Sequence, residues 1–197
     1  EVEHVLHIAH AKTLQDSYTG AGTGHANRRS QNTWIFREES AIMDSIYRRA
    51  ADLLRIDEGL LRDHAGQDAD TGSTIEQPTA AEPLQVVHYT PGQEYKTHVD
   101  FGYPRVDDPL QPTRFATLLL YLNEGMQGGE TTFPRWMNAE TSSALRVKPE
   151  LGKAVLFYNQ LPDGNMDELS QHAALPVQTS EKYLANMWIW DPYVELS

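Results

Sequence analysis

His98 and Asp100 stand two residues apart in an alternating apolar–polar run, His98-Val99-Asp100. On a β-strand, positions i and i+2 face the same way, so this spacing puts an imidazole and a carboxylate side by side. Such a pair is two-thirds of a 2-His-1-carboxylate face, the donor set that leaves open positions on Fe(II) for a cosubstrate and O2. The third donor must come from another strand. The 197-residue chain contains no cysteine, which excludes disulfide frameworks, thiolate zinc sites, iron–sulfur clusters and cysteine nucleophiles. Any metal must therefore be held by His and carboxylate. The spacing alone is weak, because 8 His and 28 acidic residues generate about one His-x-Asp/Glu by chance. The competing reading is a polar pair on an exposed strand face.

A second group of residues lies far along the chain. His172 follows a turn-rich stretch and precedes an apolar run at 173–177. Ten positions later Lys182 opens a run in which Leu184, Asn186, Trp188 and Trp190 share its face. A lysine on a partly apolar, aromatic face calls for an anionic partner, and a dicarboxylate would supply one. The alternative is an ammonium that snorkels to solvent.

Strands must hold these side chains. Short β-type runs separated by turns occupy 84–89, 95–101, 115–122, 130–133, 154–158, 173–177 and 182–190, a pattern of sandwiches and barrels. Ahead of them, 2–14 reads as a strand. The glycine-rich Gly20-Ala21-Gly22-Thr23-Gly24 reads as a flexible loop, since His25 stands where a dinucleotide fingerprint needs its third glycine. Residues 38–54 predict a helix with Ile42, Ile46, Ala50 and Leu53 on its buried face and Asp44, Arg48, Arg49 and Asp52 outside. Residues 65–82 predict a mobile loop, and loops are also expected at 102–113 and 160–170. Trp136 and Trp190 default to core packing. His88 points away from its neighbour Tyr89.

Taken in order, these stretches resemble the prolyl 4-hydroxylase branch of the Fe(II)- and 2-oxoglutarate-dependent dioxygenases. The resemblance runs from about Arg28 to Asp191. It rests on Arg29-Ser30 with Trp34, Leu84-Gln85-Val86-Val87-His88-Tyr89, Pro91-Gly92-Gln93 with Tyr95, and His98-x-Asp100-Phe101. It continues through Arg114 to Thr117, Tyr121-Leu122-Asn123, Gly128-Gly129-Glu130-Thr131-Thr132-Phe133, Val147-Lys148-Pro149, Gly152 to Phe157, Ser170-Gln171-His172, Pro176-Val177, and Lys182 to Trp188. The resemblance implies a mainly β (α+β) fold, a double-stranded β-helix or jelly-roll core with supporting N-terminal helices. It implies one domain over 1–197, with a support region at 1–83 and a catalytic core at 84–191. By position, His98, Asp100 and His172 are the implied iron ligands. Lys182 is implied to meet the distal carboxylate of 2-oxoglutarate, with Tyr89, Tyr121, Thr117, Asn186 and Trp188 also on the cosubstrate side. Lys at this place is similar to the collagen-type and algal or microbial enzymes, where the oxygen-sensing relatives use Arg. Arg105, Arg114 and Tyr95 are the implied substrate-side residues, Arg105 within a loop similar to the family's lid.

The implied reaction is peptidyl-prolyl 4-hydroxylation with Fe(II), 2-oxoglutarate and O2, and ascorbate as reductant. Two alternatives stand beside it: the same oxygenase chemistry on a small molecule or another residue, and a cupin-like binding module without redox turnover. A formal net charge of −12 disfavours nucleic acid and anionic membrane surfaces as partners. No run approaches the ~20 apolar residues of a membrane span. No signal peptide is visible at 1–10, which predicts a cytoplasmic protein. The start at Glu1 predicts a trimmed terminus, and the compact cysteine-free form predicts a microbial or viral source. Oligomeric state is not legible.

Overall fold

A computed structural model describes residues 1–17, 27–67, 74–77, 79–103 and 112–191. The glycine-rich stretch at 20–24 and Arg105 lie outside the described residues. The first element corrects the sequence reading: Val2–Ala11 is a helix, α1. Its β-branched residues read as a strand, yet Val5 and Ala9 stand four apart and are the two it buries. Strands β1 (Gln15–Asp16) and β2 (Gln31–Ile35) follow. A 3-10 turn at Arg37–Glu39 then leads into α2 (Ala41–Leu54). Helix α2 starts three residues later than expected because Ser40 is its N-cap, its hydroxyl accepting from the Met43 N–H at 3.2 Å. Its buried face is Met43, Ile46, Tyr47, Ala50, Ala51 and Leu54. Leu53, assigned to that face, is instead 52% exposed.

The stretch expected as a loop at 65–82 contains a hairpin, β3 (His64–Gln67) with β4 (Thr74–Gln77). Beyond it come β5 (Leu84–Tyr89), β6 (Tyr95–His98), β7 (Arg114–Tyr121), β8 (Gln127–Gly128) and β9 (Thr131–Asn138). The last five are β10 (Ser143–Val147), β11 (Ala154–Tyr158), β12 (His172–Ala174), β13 (Val177–Thr179) and β14 (Lys182–Trp190). The expected run at 173–177 is thus two short strands broken at Leu175-Pro176, as proline's missing N–H requires.

The strands build two main antiparallel sheets, a larger one in the order β1-β2-β5-β14-β7-β11 and a smaller one in the order β10-β9-β12-β6. This is the double-stranded β-helix. Strand alternation makes two apolar clusters on opposite faces of the larger sheet. Leu84 and Val86, Ala116 and Leu118, Ala185, Met187 and Ile189 face α1 and α2. Val87, Tyr89, Leu119, Tyr121 and Leu184 face inward, toward the smaller sheet. The helices therefore back the sheet and leave its inner face to the site. No helix among the described residues is long and apolar enough to cross a membrane.

Candidate active site

His98 ends β6 and His172 begins β12, and antiparallel pairing sets the two residues opposite each other. Asp100 follows two residues after His98 and is buried. Donor atoms of His98, Asp100 and His172 all lie within 4.8 Å of one another, the one such His/Asp/Glu group among the described residues. His98 Nε2 is 3.5 Å from Asp100 Oδ1, and His172 Nε2 is 3.6 Å from Oδ2. Each imidazole has its other nitrogen engaged: His98 Nδ1 donates to the Lys96 carbonyl at 2.8 Å and His172 Nδ1 to the Ser170 carbonyl at 2.9 Å. These bonds fix the tautomer and leave both Nε2 lone pairs aimed at the carboxylate. Two lone pairs facing an anion, with no proton between, are a donor set for a cation. The residues fit Fe(II).

The surroundings hold the set in its ligating state. Burial, seconded by repulsion from His172, pushes His98 down to about 4, with Asp100 pulling the other way. Burial alone would raise Asp100, but His172, His98, the Trp188 N–H and Arg114 together hold it at about 2. Tyr95 stacks on the His98 ring with centroids 3.6 Å apart, and Phe157 meets the His172 ring at 4.8 Å.

A cavity of about 330 Å³ opens beside these ligands, its wall including Tyr89, Tyr95, Leu119, Thr131, Asn186 and Trp188. Lys182 is buried just behind that wall, with 0% exposure. Its Nζ donates to the Gly129 carbonyl at 2.6 Å and lies 5.3 Å and 5.6 Å from the ring centroids of Tyr89 and Tyr121. It has no carboxylate partner among the described residues, and burial pushes it down to about 7 despite Glu130. A buried ammonium with one carbonyl acceptor has unused donors, which is what a small dicarboxylate would satisfy. Burial raises both Tyr89 and Tyr121 to about 12, so both hydroxyls stay protonated. Tyr121 donates to Thr131 Oγ1 at 2.7 Å, and thus acts on the cavity through a wall residue.

Two expected roles look different in the structure. Thr117 is buried away from the cavity surface and donates to Asp100 Oδ2 at 3.0 Å, beside the Trp188 Nε1 bond to the same oxygen at 2.9 Å. Arg114 reaches the cavity but is gripped by both oxygens of Glu82, at 2.6 Å and 3.0 Å, and lies 4.0 Å over Trp188. Trp190 is half-buried beside it, 5.5 Å away. Trp136, expected in the core, is 52% exposed. His88 is buried and stacked on Tyr183 at 4.4 Å, away from the site as expected.

Arg28 escaped the sequence reading. It is buried, lines the cavity, bonds Gln85 Oε1 at 3.0 Å and lies 4.9 Å over the Tyr95 ring, without a carboxylate partner among the described residues. Within the Arg29-Ser30 block Arg29 is exposed, and the i, i+2 pair on the inner face is Arg28 and Ser30. Thr131 and Gln85 were likewise legible as polar positions in buried strands.

The profile of the 2OG-Fe(II) oxygenase superfamily matches residues 84–190, and the chain belongs to that superfamily. Among its relatives are prolyl 4-hydroxylases. It is 31% identical to "Probable prolyl 4-hydroxylase 3" of Arabidopsis thaliana, over 96% of this chain and 64% of that protein. It is 32% identical to "Prolyl 4-hydroxylase subunit alpha-1" of Gallus gallus, over 96% of this chain and 33% of that one. The chain thus spans less than two thirds of either relative. Among solved structures, the viral collagen prolyl hydroxylase of Paramecium bursaria Chlorella virus-1, in its 2OG complex, superposes with a TM-score of 0.66 at 26% identity, covering 96% of this chain and 88% of that one.

Proposed function

We propose that this chain is a prolyl 4-hydroxylase domain that acts on proline in a peptide or protein. The observation that carries this reading is the convergence of His98, Asp100 and His172 beside a cavity backed by a buried Lys182 with no carboxylate partner among the described residues. Fe(II) bound by the three donors supplies the redox chemistry that couples decarboxylation of 2-oxoglutarate, to succinate and CO2, with O2-dependent hydroxylation at proline C4, and ascorbate is the expected reductant. The chain's own residues do the rest. Lys182 receives the far carboxylate of 2-oxoglutarate, a charge-assisted contact strengthened by the dry surroundings. Tyr89, Tyr121 through Thr131, and Asn186 shape the cosubstrate side. Tyr95 and Trp188 wall the mouth against water, and Arg114, held by Glu82, fixes Trp188 in place. Arg28, without a carboxylate partner among the described residues, offers its guanidinium to the substrate, and Arg105 is a substrate-binding residue in this reading. Residues 1–83 support the core at 84–191 as one domain, through α1 and α2 packed on the outer sheet face.

The test combines the purified chain with Fe(II), 2-oxoglutarate, ascorbate and proline-rich peptides in air. Succinate release matched by gain of one oxygen on proline is expected. Oxygen gained only by free proline or another small molecule would move the reading to a small-molecule hydroxylase. Under anaerobic conditions, Fe(II) with 2-oxoglutarate should give a visible charge-transfer band that Lys182→Ala removes. No band in the intact protein would favour a non-redox binding module.

A further inference from the structure

Asn159 follows directly after β11 and is 0% exposed. Its Nδ2 donates to Thr117 Oγ1 at 3.0 Å, and Thr117 Oγ1 in turn lies 3.0 Å from Asp100 Oδ2. A hydroxyl has one proton. While Asn159 occupies a lone pair of Oγ1, the Thr117 proton is free for Asp100 and is directed there. The reverse amide orientation would face Thr117 with two acceptors competing for its single proton, so the hydrogen-bond pattern itself selects the orientation. With the Trp188 N–H on the same oxygen, Oδ2 receives two donors, and the carboxylate is fixed between the imidazoles.

The backbone of the same residue reaches the second histidine. Asn159 N–H donates to the Phe115 carbonyl on β7 at 2.8 Å, and its own carbonyl accepts from Asp167 N–H at 2.9 Å. Asp167 caps the 3-10 turn Glu168–Ser170, its carboxylate accepting from Leu169 N–H and its carbonyl from Ser170. The Ser170 carbonyl is the acceptor that orients His172 Nδ1. Asn159 therefore braces Asp100 through Thr117, and His172 through the loop 160–170. The side chain accepts a cost for this: its Oδ1 is buried with no hydrogen-bond partner among the described residues. An orphaned amide oxygen in a dry setting is destabilising, so packing alone would be better served by an apolar side chain of the same shape.

We infer that Asn159 is a positioning residue for the metal centre, acting through the Thr117 hydroxyl to hold Asp100 in its ligating orientation. The inference rests on the metal-centre reading above and adds a residue that touches neither metal nor cosubstrate. Partners one layer behind a metal ligand are typically worth roughly 10–100-fold in metal affinity.

The test uses Asn159→Leu, which keeps the volume, with Thr117→Val and Thr117→Ser as the companion pair and a thermal melt to confirm folding. Co(II) affinity, read from its visible absorption, should fall roughly 10–100-fold in Asn159→Leu and in Thr117→Val, and Thr117→Ser should restore it. The double variant Asn159→Leu/Thr117→Val should lose no more than Thr117→Val alone, because both act through one proton. A metal-free readout stands beside this. The Trp188 indole N–H resonance in the apo protein reports the Asp100 Oδ2 bond, and it should move in Asn159→Leu and Thr117→Val but not in Thr117→Ser. An unmoved indole resonance in Asn159→Leu, or additive losses in the double variant, overturns the positioning role. Failure of wild-type protein to bind Co(II), with the indole shifts as expected, overturns the metal-centre reading and leaves the relay standing. Should Asn159→Leu not fold, the Thr117 pair decides: indistinguishable Val and Ser variants overturn the relay.

Discussion

Lys182 sets the terms at the scale of single residues. An ammonium at 0% exposure with one carbonyl acceptor is a liability in the ligand-free chain and an asset when a dianion arrives. Lys182→Met should therefore raise the ligand-free melting temperature while abolishing the further rise that 2-oxoglutarate produces in Co(II)-loaded protein. Removing one half of a buried charged pair costs roughly 2–5 kcal/mol, at least about 30-fold in cosubstrate affinity. A variant less stable than wild type that still binds 2-oxoglutarate would contradict this. The same burial has a pH signature. The folded value of about 7 lies well below the ordinary lysine value of about 10.4, so between them the unfolded chain holds a proton that the folded chain has released. The penalty is fully present below about pH 7 and is relieved as pH rises, so this group makes ligand-free stability increase with pH across that window. Binding a carboxylate should call the proton back. Calorimetry at pH 8–9 in buffers of different ionisation heat should show uptake approaching one proton, and none in Lys182→Met.

Elements decide which of these residues meet. The runs at 84–89, 154–158 and 182–190 were legible because each is a β-rich apolar stretch bounded by turn residues, and the period-2 spacing of the last puts Lys182, Asn186 and Trp188 on one face. The helix α1 was not, since Val2, Val5 and Ile8 carry strand propensity while tertiary burial of Val5 and Ala9 decides in favour of a helix. Register was equally hidden: nothing local to His172 says that it pairs with His98. The grip of Glu82 on Arg114 and of Asn159 on Thr117 joins residues 32 and 42 positions apart, and no periodicity reports such contacts. Two substitutions separate scaffold from site at this scale. Ser40→Ala removes the α2 cap and its contact with His4, on the face of the sheet away from the cavity. It should cost about 1 kcal/mol and leave cosubstrate affinity unchanged. Gly128→Ala acts on the short β8–β13 ribbon, where φ is +72° and an added Cβ would stand 2.3 Å from the Pro176 carbonyl. The strand must shift, and with it the adjacent Gly129, whose carbonyl holds Lys182. Both stability and 2-oxoglutarate affinity should fall together, read by melting and by titration of Co(II)-loaded protein. Loss of stability alone would mean that Lys182 is positioned without Gly129.

For the whole molecule the net charge of −12 and the proposed cosubstrate, a dianion, oppose each other at long range. The cavity gathers cations locally, with Arg28 and the Glu82-paired Arg114 on its wall beside Asp100 and Lys182 behind it. Which field an approaching dianion feels depends on distance, and ionic strength sets that distance. At 0.01 M the Debye length is about 30 Å, wide enough for the net negative surface to repel; near 0.15 M it is about 8 Å, and mainly the nearby cations remain unscreened. The association rate of 2-oxoglutarate with Co(II)-loaded protein should therefore rise a few-fold across this range, opposite to the usual fall for an electrostatically steered ligand. The dissociation rate should change little, since a fully buried ammonium is poorly screened. Stopped-flow absorption at the metal band measures both. An association rate that falls with salt would mean that the cavity's cations dominate even at 30 Å, and would assign the negative surface no part in cosubstrate entry.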